Sequence, residues 1–123
     1  MNKEFNLLVL SDDANFCSAL ALECNNYGFE LTFFESIELD SILKDNDKLI
    51  SVIIVDLNCN EVDERLNIGE EARLKSNFPI FGIVDKVTKE IQHKSKDYGF
   101  DLIFSKRMLL KSLKKVVVHI LDQ

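Results

Sequence analysis

Four short polar segments, each closing an apolar run, hold the side chains best able to do chemistry: Ser11-Asp12-Asp13, Asp56, Val84-Asp85 and Ser105-Lys106-Arg107. Aspartates drawn into one cleft repel one another unless a cation lies between them, and their hard oxygens suit Mg²⁺. A metal ion and a lysine together would also neutralise a phosphoryl group on a carboxylate, the charge stabilisation that phosphoryl transfer requires. Each residue has a plainer role beside this one. Asp56 can be a strand-end cap or an ion-pair partner of Lys106, and Asp12 or Asp13 can cap the helix that follows.

The elements that must position these residues read as alternating strands and helices. Leu7–Leu10 is a continuous apolar run, as a strand buried on both faces should be. Residues 14–27 carry Phe16, Leu20, Cys24 and Tyr27 at helical spacing, and Gly28 ends that helix. Residues 30–34 read as a more polar edge strand, and Ser36 as the cap of a short helix with Ile37, Leu39, Ile42 and Leu43. The β-branched run 50–55 should be the central strand, ending on Asp56. Residues 61–75 read as a charge-rich helix anchored by Leu66 and Leu74, 80–84 as a strand, 86–98 as a helix stopped by Gly99. Residues 100–104 read as the fifth strand, and 108–121 as the last helix, with Leu109, Leu113, Val116, Val117 and Ile120 inward. This alternation implies an α/β fold, a doubly wound open parallel sheet of five strands in the order 2-1-3-4-5, with ligands beyond the carboxyl ends of the strands.

Composition bounds the rest. The 123 residues fit one domain, 1–123, and carry a net charge of -6. An acidic chain is a poor general binder of nucleic acid or of an anionic membrane. No apolar run approaches the roughly 20 residues that span a bilayer, and the start of the chain does not read as a secretory signal, so a cytoplasmic protein is expected. Cys17, Cys24 and Cys59 are not spaced as a disulfide framework and read as small hydrophobes. The Lys106, Arg107, Lys111, Lys114 and Lys115 set and the acidic stretch 61–71 read as solvated helix faces, and His93 and His119 as surface residues. There is no glycine-rich phosphate loop after the first strand and no Ser–His or Cys–His arrangement at the strand ends, so no enzyme is expected.

In order and spacing, Ser11-Asp12, Val55-Asp56, Val84 and Phe104-Ser105-Lys106, with Gly99-Phe100-Asp101 ahead of the fifth strand, resemble the receiver domain of two-component response regulators across the whole chain. The resemblance implies that Asp56 is the phosphoacceptor and Lys106 the contact to the phosphoryl oxygens. It implies that Asp12, Asp56 and the Asn58 carbonyl are Mg²⁺ ligands, with Asp13 a partial substitute for a missing acid.

The departures from the family are as informative. Ser11 stands where a second acid is usual, Val84 where a Thr or Ser hydroxyl meets the phosphoryl group, Ile103 where an aromatic switch is frequent, and Arg107 where proline usually follows the lysine. A switch needs a contact that differs between two states, and the two residues that normally supply it are replaced. The expectation is a pseudo-receiver: a regulatory module of two-component type, with little or no phosphorylation and weak Mg²⁺ binding. It would bind a histidine kinase or another signalling protein through the fifth strand and last helices, with self-pairing through the same face. The alternative is a working receiver taking a phosphoryl group on Asp56 from a histidine kinase with Mg²⁺.

Overall fold

The computed structural model describes residues 5–46, 50–58 and 60–121. Five parallel strands are β1 (Phe5–Leu10), β2 (Glu30–Phe33), β3 (Ile50–Asp56), β4 (Ile80–Val84) and β5 (Leu102–Ser105). They lie in the order β2-β1-β3-β4-β5. The helices between and after them are α1 (Ala14–Tyr27), α2 (Leu39–Asp45), α3 (Val62–Lys75), α4 (Lys89–Asp97) and α5 (Lys106–Leu121).

Strands β1, β3 and β4 are buried along nearly their whole length because helices cover both faces of the sheet. Side chains alternate across the pleat. Leu7, Val9, Val52, Ile54, Phe81 and Ile83 point to one layer, where they meet Phe16, Leu20 and Cys24 of α1 and Leu109, Leu113 and Val117 of α5. Leu8, Leu10, Ile53, Val55, Ile80 and Val84 point to the other, against Leu39 and Leu43 of α2 and Leu66, Ile68 and Ala72 of α3. Each such Val, Leu or Ile stabilises the fold by about 1.5–3 kcal/mol relative to exposure.

Several boundaries differ from the sequence reading. Strand β5 and helix α5 are contiguous: the Ser105 hydroxyl accepts the Met108 N–H at 3.1 Å, so the helix starts at Lys106 rather than 108. Helix α4 starts at Lys89 rather than 86 because Thr88 caps it, its hydroxyl accepting the Ile91 N–H at 3.2 Å. Ser36 does not cap the second helical segment; it is the first residue of a 3₁₀ turn whose cap is Glu35, in a reciprocal capping box with Glu38. Ile37 is exposed, as is Tyr27 at the end of α1.

The largest revision concerns α3. Its buried face is Arg65, Leu66, Ile68, Gly69 and Ala72, and Leu74 is 81 % exposed. Two residues past Ala72, a side chain has turned about 200° round the helix, away from the sheet. The helix packs closely because Gly69 has no side chain: a Cβ there would lie 2.2 Å from the Phe100 ring. Two glycines adopt left-handed backbone that side chains disfavour, Gly28 (φ 74°) closing α1 and Gly99 (φ 89°) closing α4.

Candidate functional site

The carboxyl ends of β1, β3, β4 and β5 open on a cleft of about 300 Å³ lined by Asp12, Asp13, Asp56, Asn58, Arg65, Asp85 and Lys106. Its floor is Asp56, the last residue of β3 and only 2 % exposed. Both of its carboxylate oxygens are engaged. Oδ2 accepts the Ser11 hydroxyl at 2.6 Å and pairs with the Lys106 ammonium at 3.0 Å. Oδ1 accepts the Asn58 N–H at 2.9 Å.

Lys106 reaches this point because α5 begins directly at the end of β5, which aims its first side chain into the cleft. Its Nζ lies 3.0 Å from Asp13, 3.0 Å from Asp56 and 3.3 Å from Asp85. An ammonium has three N–H donors, and three carboxylates surround this one. Burial works against the charged form, but the hydrogen bonds to Asp13 and Asp56 outweigh it and hold Lys106 above the ordinary lysine range.

Asp13 is both helix cap and ion-pair partner. Its Oδ1 accepts the Phe16 N–H at 3.0 Å at the start of α1, and its Oδ2 faces Lys106. The cap hydrogen bond from Phe16, then the bond from Lys106, keep its carboxyl below the usual aspartate value. Asp12 turns outward, its side chain 84 % exposed, and pairs with Arg65 at 2.7 Å. The Asn58 side-chain oxygen accepts the Asp85 N–H, tying the loop after β3 to the end of β4.

Arg65 is the residue that the sequence reading missed. It is 7 % exposed on the inner face of α3. One Nη donates to the main-chain oxygen of Asp56 at 2.9 Å, and the other to Asp12 at 2.7 Å. Its planar fork thus spans the gap between the ends of β1 and β3. The one sequence signal for it was position: Arg65 stands beside Leu66 and one helical turn before Gly69, on the stripe that faces the sheet.

The remaining named positions fall as follows. Val84 is buried at the end of β4, paired in register with Ser105, and offers the cleft no hydroxyl. Ile103 is half-buried in β5 and packs over Gly82. Arg107 is exposed and lines, with Lys111 and Leu110, a groove against Asn15, Ala19 and Glu23 of α1. Lys114 sits 5.8 Å from the Tyr27 ring. Lys106 turns inward to the cleft, while Arg107, Lys111 and Lys114 lie on the side of α5 that faces α1. Cys24 is buried, its thiol pushed up to about 11 by burial, and Cys17 is half-buried; Cys59 lies outside the described residues.

The donor set implied for Mg²⁺ was Asp12, Asp13, Asp56 and Asn58. As arranged, it does not fit a divalent cation. The guanidinium of Arg65 fills the position between Asp12 and the Asp56 strand end, and Asp13 is committed to the α1 cap and to Lys106. Asp13, Asp56 and Asp85 do converge, but on the Lys106 ammonium, and among the described residues no group of three such side chains is left open for a metal ion.

No protein-family model matches the chain, and no curated protein matches it in sequence. Solved structures do match. A response regulator from Thermotoga maritima superposes with a TM-score of 0.79 at 19% identity, covering 96% of this chain and 98% of its own. The receiver domain of the TMAO respiratory system response regulator TorR gives 0.76 at 16% identity, covering 94% and 98%. The BeF3-activated N-terminal receiver domain of Klebsiella pneumoniae RstA gives 0.72 at 12% identity, covering 89% and 95%. Taken with the strand order and the cleft at the strand ends, these matches show that the chain has the fold of response-regulator receiver domains.

Proposed function

We propose that the chain is a regulatory module of the two-component type that works by binding another protein, with little or no dependence on phosphorylation of Asp56. The observation that supports this most directly is the set of partners on that carboxylate. Ser11, the Asn58 N–H and Lys106 satisfy both oxygens, and Val84 leaves the end of β4 without a donor for an incoming phosphoryl group. A buried carboxylate already paired and hydrogen-bonded gains little from leaving that arrangement. Val84 and Ile103 replace the two residues that would read out such a change, Ser11 replaces an acid that would help to hold a metal, and Arg107 stands where proline usually follows the lysine.

The face we assign to partner binding is made of α4, β5 and α5. Leu102 and Met108 are exposed there, 53 % and 52 %, apolar side chains that a partner surface would cover. A histidine kinase or another signalling protein suits this role, and so does a second copy of the chain. We place this activity in the cytoplasm, where kinase domains of such systems act; among the described residues no helix is long and apolar enough to cross a membrane.

The test is direct. The purified chain is incubated with acetyl phosphate and Mg²⁺, and its intact mass is read beside that of Asp56→Asn. The proposal expects no phosphoryl adduct on either protein. A near-complete adduct on the wild type that Asp56→Asn abolishes would establish the working receiver instead.

A further inference from the structure

We infer that Arg65 is the resident cation of the cleft, a positioning residue that takes the place of a divalent metal ion and joins β1 to β3 without one. The inference deepens the function proposed above and rests on it only for where the site lies.

Three observations carry it. First, Arg65 is a charged residue on a helix face otherwise built of Leu66, Ile68, Gly69 and Ala72, and its side chain is only 9 % exposed. A buried guanidinium persists only where its donors are matched. Second, its two contacts are an Asp12 carboxylate oxygen at 2.7 Å and the Asp56 main-chain oxygen at 2.9 Å, hard oxygens from two different strand ends. Third, the charge count fits an internal cation. Four carboxylates, Asp12, Asp13, Asp56 and Asp85, line the cleft with two cations, and those two divide the acids between them: Lys106 faces Asp13, Asp56 and Asp85, and Arg65 faces Asp12. Removing Lys106 strands the buried Asp56 carboxylate, and removing Arg65 leaves Asp12 to solvent and the Asp56 main-chain oxygen without its guanidinium donor. Ser11, uncharged, fits the same economy: it donates to Asp56 rather than adding a fifth negative charge. A divalent ion entering beside Asp12 would meet the guanidinium at close range, and two like charges a few ångströms apart repel strongly even near a protein surface.

The inference yields a gain-of-binding test. Mg²⁺ alone is titrated into the folded chain and followed by amide NMR, with Mn²⁺ alone as a line-broadening probe. The wild type should show no saturable response around Asp12, Asp56 and Asn58 at millimolar Mg²⁺. Arg65→Met, which keeps much of the stem and drops the charge, should bind either ion at least about tenfold more tightly. A wild type that binds Mg²⁺ as tightly as Arg65→Met overturns the inference.

Because Arg65 is buried, a second measurement leaves it in place. The Nη protons of Arg65 should give separate, slowly rotating signals in the wild type that collapse in Asp12→Asn; collapsed signals already in the wild type would also overturn it. The outcome stands apart from that of the acetyl phosphate experiment. A phosphoryl adduct on the wild type would sink the proposed function, whereas the role of Arg65 falls if either the metal or the guanidinium reading fails.

Discussion

Lys106 is the residue on which the electrostatics of the cleft turn. It is buried, yet three carboxylates lie within 3.3 Å of its Nζ. Replacing it with methionine would leave the buried Asp56 carboxylate without its cation, and breaking a buried pair in this way costs about 3–5 kcal/mol. Lys106→Met should therefore lower the urea midpoint markedly with an unchanged slope; an unchanged midpoint would mean that the ion pairs contribute nothing.

The pH dependence follows the signs of the shifts. Lys106 is held above the ordinary lysine range, so its contribution is fully present at neutral pH and fades only as pH rises through the raised value. Asp13 is held below the ordinary aspartate value, so its contribution is present above that value and is lost as pH falls through the lowered one. Asp12, Asp13, Asp56 and Lys106 were legible in the sequence because each closes an apolar run, and an open parallel sheet gathers such ends. Arg65 was not, because nothing local distinguishes a buried arginine from the solvated charges of the same helix.

At the scale of elements, strands were the most legible. The β-branched run of β3 and the apolar β1 and β4 are buried from both sides, so their patterns leave little choice. Helix α3 was found as a helix, with Leu66 a true anchor and Leu74 a false one. Its inner face includes an arginine and a glycine, neither of which registers as hydrophobic, while the apolar Leu74 faces solvent. The starts of α4 and α5 were misread for a related reason: a single hydroxyl cap, Thr88 or Ser105, decides them.

The close approach of α3 to the loop before β5 is testable. Gly69→Ala puts a methyl into the buried Phe100 ring, and such overpacking costs about 1–3 kcal/mol, against about 1 kcal/mol gained from helix propensity. The variant should be less stable by thermal melt, and Phe100→Leu in the same background should recover part of the loss. A more stable Gly69→Ala would show that the two elements are not pressed together.

For the molecule as a whole, the layout separates two tasks. The sheet and its two layers of helices bring four strand ends to one edge, and the α4, β5 and α5 face runs down one side from that edge. In a switching protein, a change at the edge alters the face. The proposed account has the edge held in one arrangement by Lys106 and Arg65, so that the face presents a constant surface to its partner. The most direct test of that claim is amide NMR of the folded chain with Mg²⁺ and beryllofluoride, a mimic of an aspartyl phosphate. The account predicts no saturable shifts around Asp12, Asp56 and Lys106. Saturable shifts there that spread through β5 into α5 would contradict it and show a working switch.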